Sequence, residues 1–337
     1  MSAFEQVWGG DRLLKYPPDV PLGIYTAEQY NKLGERRRFL GARVAYNLLD
    51  VGRNPGPEAV RVFEDVCITL RTSNGTFRTS FRHRFRDVDA KAGELIRALG
   101  LEGAFRVEDR AVSHGLTSVE WAERLFAEYP AVTFEASDLL LYLLELSLPN
   151  GEVYMTDREG RPLQWIKPPF VVSAGHSESW RNPLLRAVSN RAKRRFGRLG
   201  LPANWQEGSQ RGDFSVRRIS CVHPEAVQLA ETNDRFTFGM RSIFERSRTK
   251  CQVLRTMNIL NRAYFSEAEL RDGINAVFES LTPGGLWVVG RTLETDLSNH
   301  TSFLRRDENG WTVLDRIGSG SEIEELALKR VSATNAA

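Results

Sequence analysis

From Phe105 onward the chain alternates short apolar runs of strand length with amphipathic stretches of helix length, and this alternation narrows its folds more than any other feature. A strand that returns to its own sheet through a helix does so in parallel and with one hand, so repeated units build a sheet covered by helices on both faces. Phe105–Val112 reads as the first strand. Thr117 and Glu120 then have capping-box spacing, ahead of a helix striped by Val119, Ala122, Leu125 and Phe126. A second strand over Ala131–Ala136 stops at Ser137-Asp138, and Phe236–Met240 and Gln252–Met257 read as further strands. Ser266 and Glu269 make another capping box, before a helix with Leu270, Ile274, Val277, Phe278 and Leu281 on one face. Pro283-Gly284-Gly285 ends it and delivers the strand Leu286–Val289. Thr301–Arg305 and Trp311–Arg316 flank Asp307–Gly310 as a hairpin. The expected fold is α/β, a doubly wound, mostly parallel sheet that ends in an antiparallel hairpin.

Residues 1–100 lack this alternation. Helices are expected over Thr26–Leu49, Pro57–Leu70 and Asp87–Leu99, with no Gly-rich phosphate loop among them. The expected role of this region is a cap over substrate or a dimerisation element, the latter giving a homodimer. The α/β domain then takes residues 101–337, with a hairpin around Asp157–Arg161 and a basic helix inserted at about 150–215. No apolar run approaches the ~18 residues of a membrane span, and three scattered cysteines, Cys67, Cys221 and Cys251, suggest neither disulfides nor a zinc site. A cytoplasmic setting is expected. His83, His114, His176, His223 and His300 stand alone, so no metal site is expected.

Lysine and arginine number 46 against 43 acidic residues, a net +3 that excludes a strongly basic whole-molecule field. Yet between Trp180 and Gly200 there are seven basic residues and no acidic one, and Arg78–Arg86 reads RTSFRHRFR. Both runs are expected to be solvated faces; contact with an anionic membrane or a nucleic acid is the alternative, and a small-molecule substrate is the partner most expected.

An open parallel sheet binds its ligand beyond the carboxyl ends of its strands, beside the point where strand order reverses. Asp109-Arg-Ala111-Val-Ser113-His-Gly115 ends the first expected strand, with small residues where a backbone could approach a ligand. It is not the G-x-G-x-x-G of a dinucleotide site. His114 within it is either a base or a polar loop residue. Asp138 follows the second strand, 23 residues beyond Gly115, and reads either as an acceptor for ribose hydroxyls or as the cap of a helix starting at Leu139.

Ala111-Val-Ser113-His-Gly115 resembles the first motif of class I S-adenosylmethionine-dependent methyltransferases, in the form found in chemotaxis-receptor methyltransferases. Glu135-Ala136-Ser137-Asp138 is similar to that family's second motif, Arg255-Thr-Met-Asn258-Ile-Leu260 ahead of Tyr264-Phe265 to its Arg-Asn-Val-Leu segment, and Leu281-Thr-Pro283-Gly284-Gly285 to its Pro-Gly-Gly strand. The likeness spans roughly residues 105–317. It implies an S-adenosyl-L-methionine cofactor, with Asp109, Ala111, Ser113 and Gly115 along its methionine end, Asp138 on the ribose and Ser242 near the adenine. It further implies that Asn258 lies over the methionine part and faces substrate, with Tyr264 bordering the substrate. In-line methyl transfer to a small molecule or a side chain is the activity implied. Cyclisation or aminocarboxypropyl transfer from the same sulfonium, or a non-catalytic regulatory protein on this scaffold, are the alternatives.

Overall fold

A computed structural model of the chain describes residues 23–32, 44–72, 78–174, 183–199, 210–211 and 214–329. Helices α1 (Ala27–Lys32), α2 (Pro57–Thr69) and α3 (Arg86–Ala98) precede β1 (Arg106–Arg110), α4 (Leu116–Glu128) and β2 (Thr133–Asp138). Antiparallel strands follow, namely β3 (Tyr142–Ser147), β4 (Val153–Thr156), β5 (Pro162–Lys167) and β6 (Phe170–Ser173), then α5 (Pro183–Arg198), β7 (Gln210–Arg211) and β8 (Phe214–Ser220). Alternation resumes with α6 (Pro224–Thr232), β9 (Phe236–Met240), β10 (Cys251–Met257), α7 (Glu267–Ser280) and β11 (Leu281–Thr292). The hairpin β12 (Asn299–Arg306) and β13 (Trp311–Ile317) and a short α8 (Glu324–Leu328) complete the described chain. No helix among the described residues is long and apolar enough to cross a membrane.

The chain divides into two compact units. One unit, Phe81–Leu139 with Glu225–Ala337, holds a seven-stranded sheet in the order β13-β12-β11-β10-β1-β2-β9. All pairs from β11 to β9 are parallel, while β12 runs against both β11 and β13. This is the doubly wound, mostly parallel sheet with a terminal hairpin that the sequence led us to expect. The chain leaves β1 toward β2 and leaves β10 toward β11, so the strand order reverses between the adjacent strands β1 and β10. One face packs against α4, where Trp121 meets Phe134 edge-on with centroids 5.4 Å apart. The other packs against α7, burying Leu270, Ile274, Val277 and Phe278 with Leu254, Trp287 and Val289. Here the Ser266–Glu269 capping box forms in both directions.

The second unit, Met1–Ser80 with Leu140–Pro224, contains a six-stranded sheet, β6-β5-β4-β3-β8-β7. The expected division at residue 100, with an insertion over about 150–215, is therefore displaced. The insertion begins at Leu140; it contains the expected hairpin, β4–β5 around Asp157–Arg161, and the basic helix α5, but sets them in a six-stranded sheet that shares its core with the N-terminal segment. Leu143, Met155, Leu163, Ile166 and Ile219 bury one face of that sheet against Val62, Phe63 and Val66 of α2. Leu144, Leu146, Tyr154 and Val216 point to the opposite face, where Phe196 and Leu199 pack. Neither segment can bury its apolar face alone, which is why the two fold as one body. Of the helix expected over Thr26–Leu49, residues 33–43 lie outside the described residues; α1 and a 3-10 turn at Tyr46–Leu49 flank them.

Two local expectations give way. Thr117 and Glu120 form no capping box: Gly115 is the N-cap of α4, at φ 88°, and Thr117 and Ser118 are buried inside the helix. Glu120 instead accepts the amide of His83 at 3.0 Å. No helix begins at Leu139, since the chain passes into β3, so Asp138 is not a helix cap.

Candidate functional site

Strands β1, β2 and β10 end side by side at the reversal of strand order, and their carboxyl ends bring together Ala111–Gly115, Asp138 and Asn258. Three alternate residues of the first loop hold left-handed backbone: Ala111 at φ 59°, Ser113 at 60° and Gly115 at 88°. Asn258, just past β10, is held at 61°. Non-glycine residues in this region cost about 1 to 3 kcal/mol each and persist where surrounding bonds over-determine them. Those bonds are present. Val112 donates its amide to Ser137 O at 3.3 Å, and Ser113 donates its amide to Asp138 Oδ2 at 2.8 Å. Asn258 donates its amide to Gly290 O at 2.8 Å, and its Oδ1 accepts the Thr292 amide at 2.7 Å. Strain at three non-glycine positions thus gathers at one sheet edge.

Asp138 is half-buried, with its carboxylate pinned to the loop by Ser113. A carboxylate offers about four acceptor sites, more than the Ser113 amide occupies. Its carbonyl accepts the Arg241 amide at 3.1 Å, which ties the loop after β9 to the same edge. Ser242 follows, but its polar groups serve its own turn. Its amide donates to Glu245 Oε1 at 3.2 Å, and its Oγ accepts from the Phe244 amide at 3.3 Å.

Asp109 does not line the site. It points into the core, where Arg255 of β10 donates Nε to Oδ1 at 3.0 Å and Nη2 to Oδ2. Ser118 Oγ adds a third donor at 2.7 Å. Arg255 also binds Asp89 of α3 and the Thr117 carbonyl, and its guanidinium lies over the Trp121 ring at 4.3 Å. The small size of Gly115 likewise has an internal cause. A Cβ there would fall 2.3 Å from Phe238 Cε2, so the close approach is made by a ring of β9. His114 lies in the loop and is fully buried.

Beyond Asn258 the structure adds residues that no sequence pattern singled out. Arg84 donates Nε to Thr292 Oγ1 at 3.1 Å, and that hydroxyl donates to Asn299 Oδ1 at 2.8 Å. Asn299 in turn donates to Arg84 O at 2.9 Å and to Asp87 Oδ1 at 2.7 Å. Burial pulls the Arg84 guanidinium down to about 10, against the opposing pull of Glu294 and Tyr264. Tyr264 is 44% exposed, and its phenol is held above its ordinary value by partial desolvation and by Glu294. Arg84 sits in a run that reads only as basic, so nothing short of the fold marks it. The chemistry brought together at these strand ends is a carboxylate, peptide groups and an amide side chain, which fits a nucleoside carrying a polar tail better than a metal or a nucleophile–base pair.

No protein-family model matches the chain, and no curated protein is similar to it in sequence. Solved structures resemble it weakly. An O-methyltransferase family protein from Burkholderia thailandensis aligns at a TM-score of 0.30 and 12% identity, over 71% of this chain and 43% of that one. A putative S-adenosyl-L-methionine-dependent methyltransferase from Methanococcus maripaludis aligns at 0.31 and 8%, over 72% and 68%. The N-methyltransferase NodS from Bradyrhizobium japonicum, in complex with S-adenosyl-L-homocysteine, aligns at 0.26 and 13%, over 62% of each chain. The chain spans less than half the length of the Burkholderia protein. None of these three is a chemotaxis-receptor enzyme, so the finer resemblance finds no support among them. Scores this low do not bear on activity, which must be argued from the site.

Proposed function

We propose that the chain is an S-adenosylmethionine-dependent methyltransferase acting on a small molecule or an amino-acid side chain. The observation that carries this is the meeting of Asp138, the strained loop Ala111–Gly115 and Asn258 at one reversal of strand order, with Asp138 oriented by Ser113. When bound, the cofactor supplies an electrophilic methyl group on a sulfonium sulfur. Asp138 accepts the ribose hydroxyl hydrogens, and the Ser113 amide keeps its carboxylate aimed. Asn258, locked to the end of β11, borders the methionine part and the acceptor. Tyr264 keeps its proton at neutral pH and so donates a hydrogen bond rather than abstracting a proton. The remaining work is alignment and exclusion of water, for which few obligatory side chains are needed. Asp109 acts through Arg255, bracing the first strand under the loop.

A second reading, a binding protein without turnover on the same scaffold, is favoured by one observation. Asp109, the acidic residue at the end of β1, is spent on the core. Calorimetry with S-adenosylhomocysteine tests the site, and methyl transfer to candidate acceptors separates the two readings. Asp138→Ala should weaken binding by roughly 1.5 to 3 kcal/mol, the worth of a hydrogen bond to a charged group. Asp138→Asn keeps an acceptor for Ser113 but loses the charge, so it should preserve the fold and still bind more weakly. Unchanged affinity in both variants would remove Asp138 from the site, and no binding by the parent at millimolar ligand would remove the cofactor.

A further inference from the structure

Helix α5 carries four arginines, Arg191, Arg194, Arg195 and Arg198, that line one cavity of about 450 Å³. At about 100° and 1.5 Å per residue they fall within an arc of roughly 100° and span roughly 10 Å of helix. All four are exposed. Like charges three and four residues apart destabilise a helix, and no acidic residue between Trp180 and Gly200 offsets them. Only Arg195 has an ionic partner among the described residues. Its Nε lies 2.9 Å from Glu152 Oε2, and the same buried carboxylate is shared with Lys167 Nζ at 3.0 Å. Arg194 Nε donates to the Asn190 carbonyl at 3.4 Å, which leaves its charge uncompensated. The cavity wall therefore presents at least three guanidiniums whose charge nothing described in the chain neutralises, while Arg195 is anchored to the sheet through Glu152.

We propose that this cavity binds a small ligand bearing two or more phosphate groups. Guanidinium presents paired, planar donors that match phosphate oxygens, and it keeps its charge at any physiological pH. A cavity of this size lies in the small-ligand range of about 300 to 1,000 Å³. Several cations facing one open cavity neutralise several charges on one compact molecule. A single-stranded nucleic acid would require stacking platforms along an open groove, and no aromatic residue lines this cavity among the described residues. A membrane-surface helix would leave an apolar face free beside the basic one, whereas Ala192 is buried and Phe196 and Leu199 pack against the sheet of their own unit. The site lies in the unit Met1–Ser80 with Leu140–Pro224 and does not rest on the methyltransferase reading.

The test uses inorganic tripolyphosphate as the probe, titrated into the full chain by calorimetry at low and at moderate salt. Arg194→Gln with Arg198→Gln removes two charges and leaves the Arg195–Glu152 pair; Arg191→Gln is the independent single variant, and Arg186→Gln, on the same helix outside the cavity, is the control. The expected result is saturable one-to-one binding that weakens with salt. It should fall about tenfold or more in the double variant, fall in Arg191→Gln and stay unchanged in Arg186→Gln, with ligand-free melting no lower in any variant than in the parent. Absence of saturable binding at millimolar probe, or equal affinity in parent and variants, overturns the proposal. So does tighter, arginine-dependent binding of single-stranded DNA or of phosphatidylserine vesicles than of tripolyphosphate, which would assign the cavity to a polymer or a membrane.

Discussion

Asparagine in place of Asp89 tests the buried cluster beneath the candidate site. Arg255 lies between Asp89 and Asp109, and all three are buried, so two ionised carboxylates would leave one uncompensated negative charge in the core. Burial pushes Asp89 up from 3.8 to about 7; Arg255 opposes this and Asp109 adds to it. Because the folded value is raised, protonated Asp89 contributes stability that is complete below about 3.8 and lost as pH rises through about 7. At ~1.4 kcal/mol per pH unit of difference in protonation, the loss between pH 5 and pH 8 comes to roughly 2 to 3 kcal/mol. Asp89→Asn keeps an acceptor for the Arg255 Nη1 bond and cannot ionise. Urea titrations read by hydrogen exchange of the β1 and β10 amides report this unit separately from the other. The parent should lose that stability between pH 5 and 8 relative to the variant, which retains only the common background. Parallel pH profiles for parent and Asp89→Asn would mean that Asp89 is ionised throughout, and the account of the cluster would be wrong.

Arg255→Met leaves Asp89 and Asp109 buried without their cation and should destabilise this unit by about 3 to 5 kcal/mol, measured in the same titration; a loss under about 1 kcal/mol would show the pair to be solvated. Gly115→Ala sets a Cβ against the Phe238 ring at φ 88° and should cost about 2 to 5 kcal/mol from strain and overlap. Combining it with Phe238→Ala should recover at least about 1 kcal/mol relative to additivity, and strictly additive effects would place the ring elsewhere.

Wherever an element is specified by its own residues, the sequence is legible. The Ser266–Glu269 box, the stripe of α7 and the Asp307–Gly310 turn are contacts within a few residues and form where expected, whereas α7 already ends at Ser280 and Pro283-Gly284-Gly285 lies inside β11, opposite a register shift, instead of leading into it. Asp138 belongs to the same class, since its place at the end of β2 follows from where that strand stops. The Thr117–Glu120 spacing is equally local, yet it yields, because a distant amide, that of His83, takes the Glu120 carboxylate and Gly115 ends the loop in left-handed backbone.

Other assignments were set by partners far away in the chain. Asp109 reads as a ligand-facing acid until Arg255, 146 residues on, neutralises it in the core. The hairpin and the basic helix expected in the insertion both form, but β3 pairing with β8, Leu143 opposite Ile219, sets them in a larger sheet that needs the N-terminal helices for its core. Arg84 reads as one cation in a basic run until Thr292 and Asn299 meet it. Periodicity and capping are short-range properties, so the chain encodes its elements and their order locally. Which charges are spent on one another, and which remain at an edge or a cavity for a ligand, depends on long-range pairing that only the folded sheets bring about.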